Sequence, residues 1–296
     1  VEGPGTLSLP DATGLAVDGL ALTDAGRLAF TNSTVLTVTV SLGAGGGVLA
    51  PAAGTTLDVE SAVTGTGGLF KEMSSVAVLT NANAGYTGVT GVRGGTLRLD
   101  TLSAGGVVFG QGTLHYVGGP ASVAGGYMLD TGDDTRAGVL RADGDITFEG
   151  NVGAVSGALV KTGPGTVSFT APGLNVFNAG NGAGTSHNVL DIGAFGDSPT
   201  TGFSGFSIAD GKVVIGAAGQ TNLFNGILVI GLNTTTNDDA ETAGQLDVTG
   251  GKTEVTDALI VGRSNGTTTT APAARTSRLR VTGGELSAQT LVMGRT

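Results

Sequence analysis

A short phrase that ends in paired glycines recurs in the second half of the chain. Residues 246–251 read LDVTGG and residues 279–284 read LRVTGG, and each copy is followed by an apolar segment that closes on Gly-Arg. A looser copy, FSIADG, starts at residue 206. A phrase that returns every 33 to 40 residues indicates stacked similar units, since a single globular core imposes no such period. We therefore predict a repeat architecture.

Composition narrows this architecture to β-structure. Glycine supplies 55 of the 296 residues, and Val, Leu, Ile and Thr alternate between the glycines. Apolar residues do not recur at helical spacing over any long glycine-free run. Aromatic residues make up only 4% of the chain, whereas a β-sandwich usually centres on large rings. We predict an all-β parallel β-helix, or β-solenoid, of roughly a dozen short coils.

One coil can be traced in the LDVTGG copy. Strands near Leu246–Val248, Thr253–Val255 and Leu259–Val261 would form its three sides, with corners at 250–251 and 256–257. With about 4.8 Å between coils, a dozen coils make a rod on the order of 60 Å long. The alternation predicts that five side chains point inward: Leu246, Val248, Val255, Leu259 and Val261.

Three stretches rich in Gly, Asn or Thr interrupt the strand pattern. We expect loop insertions there, near 173–205, 232–244 and 263–277. Neither end of the chain shows the pattern of a cap, which favours a segment of a longer protein. The expected organisation is a single solenoid over 1–296, with repeat-like coils in 1–172, the loop-rich insertion 173–205 and LxVTGG-type coils in 206–296.

A second phrase occurs twice between residues 67 and 169. Residues 157–169 read GALVKTGPGTVSF, and residues 67–99 begin GGLFKEMSS and end GYTGVTGVRGGTLRL. Both segments resemble the autotransporter-associated β-strand repeat, although residues 73–76 read MSSV where that family has G-x-G-T. The resemblance implies a parallel β-helix passenger segment of a secreted or outer-membrane-anchored protein, and it implies no catalytic residues.

Charge and cysteine content exclude several kinds of partner and site. The net charge of −10 argues against nucleic acid, which is bound by clusters of Lys and Arg, and against anionic membrane surfaces. The absence of cysteine removes disulfides, thiolate metal sites and cysteine nucleophiles. Apolar runs are far shorter than the roughly 20 residues of a membrane-spanning helix. We expect an extracellular or cell-surface location.

Acidic turns are the candidates for chemistry. The pairs Asp133-Asp134 and Asp238-Asp239 could serve a carbohydrate-cleaving β-helix as acid and base, but two carboxylates in a turn are more often solvated corner residues. We expect no enzymatic activity and no required cofactor. Calcium takes oxygen ligands, and the candidates for binding it are Asn237, Asp238, Asp239 and Glu241.

Histidine, threonine and asparagine supply the remaining candidates. His115, next to Tyr116 in a strand-like segment, and His187, in a Gly/Asn stretch, are the two histidines, and both are expected to be structural or solvated. We expect the threonines of the Thr267–Thr270 tract to point outward and to form a ladder on one sheet face. Glycan attachment is the alternative for this tract and for the N-x-S/T strings at Asn32, Asn233 and Asn265.

Several functions stay open at this point. A structural surface protein would act as a stalk, an adhesin passenger or a self-assembling filament subunit, contacting other copies or segments through the solenoid ends or loops. The alternative is a carbohydrate-binding or carbohydrate-cleaving β-helix. An adhesin would bind a surface glycan or a host or matrix ligand through the loops at 173–205 and 232–277.

Overall fold

A computed structural model describes most of the chain. The described residues are 1, 3–13, 15–79, 84–132, 137–178, 205–208, 210–233, 244–264 and 277–295. They form strands and no helix, so they contain no helix that could cross a membrane.

The strands are mostly three to six residues long. In chain order they are β1 (Thr6–Leu9), β2 (Gly19–Leu22), β3 (Gly26–Phe30), β4 (Thr34–Leu36), β5 (Thr39–Leu42), β6 (Gly47–Leu49), β7 (Thr56–Val59), β8 (Val63–Gly65), β9 (Leu69–Lys71), β10 (Val76–Leu79), β11 (Ala84–Tyr86), β12 (Thr90–Val92), β13 (Thr96–Leu99), β14 (Val107–Phe109), β15 (Thr113–Tyr116), β16 (Ala121–Val123), β17 (Tyr127–Asp130), β18 (Ala137–Ala142), β19 (Ile146–Phe148), β20 (Gly153–Ser156), β21 (Ala158–Thr162), β22 (Thr166–Phe169), β23 (Gly173–Asn178), β24 (Gly205–Ile208), β25 (Gly211–Ile215), β26 (Gln220–Phe224), β27 (Ile227–Asn233), β28 (Gly244–Val248), β29 (Lys252–Ser264), β30 (Arg278–Val281) and β31 (Glu285–Arg295).

Every pairing among these strands is parallel, and the pairings define three faces. The first face runs β1-β3-β6-β9-β12-β14-β17-β20 and continues with β23, β26 and the first halves of β29 and β31. The second face runs from β4 through β7, β10, β13, β15, β18, β21, β24 and β27 to the second halves of β29 and β31. The third face is β2-β5-β8-β11, followed by β16-β19-β22-β25-β28-β30.

This pairing confirms the predicted parallel β-helix. Twelve strands or half-strands lie on the first face, so the described chain makes twelve coils, which we number from the N-terminus. The five side chains that were predicted to point inward are all buried. Their exposed fractions range from 0% for Leu246 and Val248 to 5% for Val261. The alternation in the sequence therefore identified the core side of this coil correctly.

The bounds predicted for the three insertions were too wide, because residues at their ends belong to strands that pair with neighbouring coils. The strand β23 occupies the first residues of the interval 173–205, and Phe177 on it is fully buried. Likewise β27 extends to Asn233 and β29 to Ser264. The remainder of each interval, at 179–204, 234–243 and 265–276, lies outside the described residues.

The paired-glycine phrase forms a corner of the solenoid. Gly251, between β28 and β29, has a φ of +65°, and a Cβ there would lie 2.6 Å from the carbonyl oxygen of Gln220. Gly95, between β12 and β13, has a φ of +63° and stands equally close to neighbouring backbone. Only glycine fits such positions. The corner at Gly251 joins the third face to the first, whereas the corner at Gly95 joins the first face to the second. Paired glycines therefore specify a bend and not a fixed place in the coil.

The middle of the core contains a stack of aromatic rings. Adjacent ring centroids lie 4.5–6.4 Å apart, and the Tyr127 hydroxyl donates to the carbonyl of Phe177 at 2.9 Å. Aromatic residues are thus few but concentrated in successive coils, where parallel stacking places similar side chains above one another. The stack consists of Phe109, Tyr127, Phe148, Phe169, Phe177 and Phe224.

One buried amide connects three coils beside this stack. The Gln220 Oε1 accepts from the backbone N–H groups of Gly216 and Ala217, at 2.6 and 2.8 Å. Its Nε2 donates to the carbonyls of Phe169 and Ala171, both at 2.9 Å. These four backbone groups belong to coils 8 and 9, whereas Gln220 begins the first strand of coil 10. A single side chain therefore supplies the hydrogen-bond partners of backbone groups at the two preceding corners.

Candidate interaction surface on the second face

The lysine of each repeat-like segment lies inside the solenoid. Lys71, at the end of β9, is completely buried. Its Nζ donates to the carbonyls of Glu72, Met73 and Gly94 and to the Ser75 hydroxyl, at 2.5–3.3 Å. Three of these partners, Glu72, Met73 and Ser75, belong to the same corner as the lysine. The fourth, Gly94, belongs to the next coil.

Lys161 on β21 repeats this arrangement at a different corner. Its Nζ donates to the carbonyls of Gly163, Gly165 and Asp210, the last two at 2.6 and 2.9 Å. Burial lowers the pKa of both lysines, from 10.5 to about 8. Because each ammonium group is enclosed by backbone carbonyls of two coils, these lysines stabilise corners and are inaccessible as nucleophiles.

Three basic side chains form a row on the outside of the second face. Arg98 on β13 pairs in register with His115 on β15, which pairs with Arg141 on β18. Neighbouring members of the row are about one strand spacing, ~4.8 Å, apart. Both arginines are exposed, while the His115 side chain between them is only 16% exposed.

Hydrogen bonds fix one end of this row. Asp143, two residues beyond Arg141, accepts from Arg141 Nε at 3.2 Å and lies 2.8 Å from His115 Nε2. Burial alone would raise the pKa of Asp143, but the hydrogen bonds from His115 and Arg141 outweigh it and hold the pKa below 3.8. Arg98 has no hydrogen-bond or ion-pair partner within the described ranges.

Other polar side chains flank the row on both sides. Thr96 and Thr113, which pair with each other, precede Arg98 and His115 by two residues and lie on the same outer face. Asp100 follows Arg98 by two residues on the other side, where Asp143 also lies. We call this set, Arg98, His115, Arg141, Asp143, Thr96, Thr113 and Asp100, the arginine row. It presents guanidinium, imidazole, hydroxyl and carboxylate groups on one strip of sheet.

The structure describes only part of the predicted site residues. His115 lies in a strand, as expected, and contacts Asp143. Asn32 is exposed at the corner between β3 and β4, and Asn233 ends β27. Among the described residues, no three His, Asp or Glu side chains group closely enough to hold a metal ion. The other candidates lie outside the described residues: Asp133, Asp134, His187, Asn237, Asp238, Asp239, Glu241, Asn265 and Thr267–Thr270.

Sequence reasoning missed Arg98 and Arg141. The intervals in the row are 17 residues from Arg98 to His115 and 26 from His115 to Arg141, so no constant period marks them. The available signal was the shared place of Arg98 and His115 in similar strand segments, TLRL at 96–99 and TLHY at 113–116; Arg141 follows the similar pair Val139-Leu140.

The fold defines a class, a parallel β-helix with three short-stranded faces, and one comparison relates it to a known protein. The chain is 35% identical over 171 residues to the adhesin BmaC autotransporter of Brucella suis biovar 1 (strain 1330). The match covers 56% of this chain and 5% of that protein, so the chain spans a small part of its relative's length. No family model matches the chain, and no solved structure matches it.

Proposed function

We propose that the chain is a β-helical passenger segment of a cell-surface autotransporter, anchored to the outer membrane through other parts of its parent protein. It acts as a stalk or adhesin segment and not as an enzyme. The observation that carries the proposal is the parallel pairing of the second face, which continues from coil 2 to coil 12. Similarity to part of a protein named an autotransporter adhesin supports the surface location.

The hydrogen-bonding pattern suits a stalk. Each coil contacts its neighbours in the stack, so the stability of the solenoid is approximately a sum of local contributions and the length can grow by adding coils. On the second face the inner strands from β7 to β27 are paired on both sides, which protects their edges from pairing with other chains. Such a rod extends a surface away from the cell without requiring a large globular core.

Contacts with other copies or other segments of the parent protein are part of the same proposal. We infer that these contacts run through the solenoid ends and the loops. On β31, Leu291 and Met293 pair in register with the buried Leu259 and Val261, yet 56% and 69% of them are exposed. A further coil or another copy that stacks on β31 would bury these side chains and pair the strand edge.

Limited proteolysis of intact source cells tests the surface location. With an antibody raised against residues 1–296, we expect the epitope to disappear from whole cells treated with external protease, while a cytoplasmic marker survives. An epitope that survives in intact cells and disappears only after lysis would contradict the proposal. Electron microscopy of the purified segment tests the shape, since rods on the order of 60 Å follow from about a dozen coils and compact spheres do not.

A further inference from the structure

We propose that the arginine row is a binding surface for a carboxylated polysaccharide that lies extended along the solenoid axis. The inference deepens the proposed surface function by naming the ligand class, and it rests on that function for its biological setting. The binding itself is a property of the isolated segment, so it can be tested separately from the location of the protein.

The exposed guanidinium groups supply the attraction for carboxylates. Arg98 has no ionic partner in the described part of the chain, and Arg141 shares Asp143 with His115. Guanidinium groups bind carboxylates through paired hydrogen bonds, and no described residue occupies the donors of Arg98.

The arrangement of the row matches a linear polymer. Arg98, His115 and Arg141 lie on consecutive strands of the second face, in register and about 4.8 Å apart. One sugar unit of an extended polysaccharide is of similar length. A chain laid across the strands would therefore present successive sugar units to successive coils, with carboxylates reaching the two arginines.

The flanking groups favour a sugar over an acidic peptide. Asp100 and Asp143 lie on one side of the row, and their carboxylates accept hydrogen bonds from sugar hydroxyls, which a polyacidic peptide such as polyglutamate does not have. On the other side, Thr96 and Thr113 offer hydroxyls that both donate and accept. An acidic polysaccharide carries both kinds of group, carboxylates for Arg98 and Arg141 and hydroxyls for these neighbours.

Affinity electrophoresis and calorimetry test the proposal on the purified 296-residue chain. The probe is polygalacturonate, with neutral dextran and polyglutamate as comparison polymers. The test variants are R98Q and R98Q/R141Q. The matched control is R93Q on the first face, because the Arg93 side chain is 52% exposed, the same fraction as for Arg141. Circular dichroism melting verifies that each variant folds, and R98Q is the safer variant because Arg98 has no partner to lose among the described residues.

We expect polygalacturonate to bind and dextran and polyglutamate to bind at least about tenfold more weakly. Loss of one charge-assisted contact is expected to weaken binding about tenfold in R98Q and about 100-fold in R98Q/R141Q, with R93Q unchanged. Absence of polygalacturonate binding overturns the proposal. Equal weakening by R93Q also overturns it, because the attraction would then be unspecific, and tighter binding of polyglutamate would assign the surface to acidic peptides instead. Protease resistance on intact cells would contradict the surface function alone and leave these binding results standing.

Discussion

The second face differs between coils 2–6 and coils 7–11, although it is one continuous sheet. In coil 2 the outward Val35 of β4 is 46% exposed, and in coil 5 the outward Arg98 of β13 is exposed. In coils 7, 8, 10 and 11 apolar outward side chains are buried, and Val229 on β27 has no exposed surface, although Arg141 near the end of β18 in coil 7 is exposed. They form a second cluster that the sheet separates from the main core: Ala137, Val139, Ala158, Val160, Ile227, Val229 and Ile260.

The difference between the two groups of coils shows where alternation of apolar and polar residues does not predict which side chains are buried. Strands of coils 5 and 6 read TLRL and TLHY, with apolar and polar residues alternating. Strands of coils 8 and 10 read ALVKT and ILVIGLN and begin with the continuous apolar runs ALV and ILVIGL. Parallel strands buried on both faces produce such runs. The sequence thus contained a signal for the second cluster, and the absence of alternation was that signal.

The largest expected effect comes from placing a charge in either cluster. We expect V229D, on the outward side, to destabilise by about 3–5 kcal/mol, as V248D does on the inward side, because each buries an unpaired carboxylate. V35D, on the exposed outward side of the same face, should cost less than about 0.5 kcal/mol. Urea unfolding followed by circular dichroism measures all three. If V229D unfolds like V35D, the outer cluster does not contribute to stability.

The buried amide of coils 8–10 should have the next largest effect. Q220L removes the partner of four backbone groups, and we expect a loss of about 4 kcal/mol, since each buried group left unpaired costs about 1–3 kcal/mol. Gln111 in coil 6 is only half-buried and donates to the carbonyl of Thr131. Q111L should therefore cost about 1 kcal/mol. Equal losses in the two variants, measured in the same urea titrations, would show that the amide is no more important than a surface one.

The corner lysines test whether both halves of the chain use the same device. We expect K71M, in the first half, and K161M, in the second, each to destabilise by about 2–4 kcal/mol, because Met fills the space but leaves several carbonyls without a donor. Lys252, half-exposed and 3.6 Å from Glu254, supplies the control, and K252M should cost at most about 0.5 kcal/mol. Thermal melting ranks the variants. A melting temperature of K161M within the error of K252M would contradict the structural role.

The same two lysines also predict that the stability of the chain depends on pH. Their pKa is 10.5 in the unfolded chain and about 8 in the folded chain. Between these values the unfolded chain binds more protons, so their contribution to the free energy of unfolding increases as the pH rises from 8 to 10.5. The difference in stability between the parent chain and K71M/K161M should widen over this interval. Curves that stay parallel would show that the two lysines do not titrate there.

Much of the fold could be predicted from the sequence because its units are local. A strand of three or four alternating residues and a corner of two glycines are each determined within about six positions, and Leu246 to Val261 illustrate both. The corner lysines were visible as repeated letters, but their burial was not predicted, because an isolated lysine is usually exposed. The carbonyls that enclose Lys161 come from Gly163, Gly165 and, 49 residues away, Asp210.

The candidate surface was hardly predictable. Arg98, His115 and Arg141 are separated by unequal intervals because coils 5 to 7 differ in length, and unequal coils hide the register from any fixed spacing. Their neighbours Thr96 and Thr113 also pair in register, although they are 17 residues apart in the chain. Three residues that look unrelated along the chain therefore form one row on the surface.

The sequence by itself determined the parallel β-helix, its inward side chains and its corners, since these depend on alternation and on glycines that permit a positive φ. Only the tertiary structure decided which two faces each corner joins, which outward side chains are buried and which polar side chains lie within hydrogen-bonding distance of one another. Those outcomes depend on how each coil stacks on the next, and stacking is set by the varying lengths of the coils and by contacts between residues far apart in the chain.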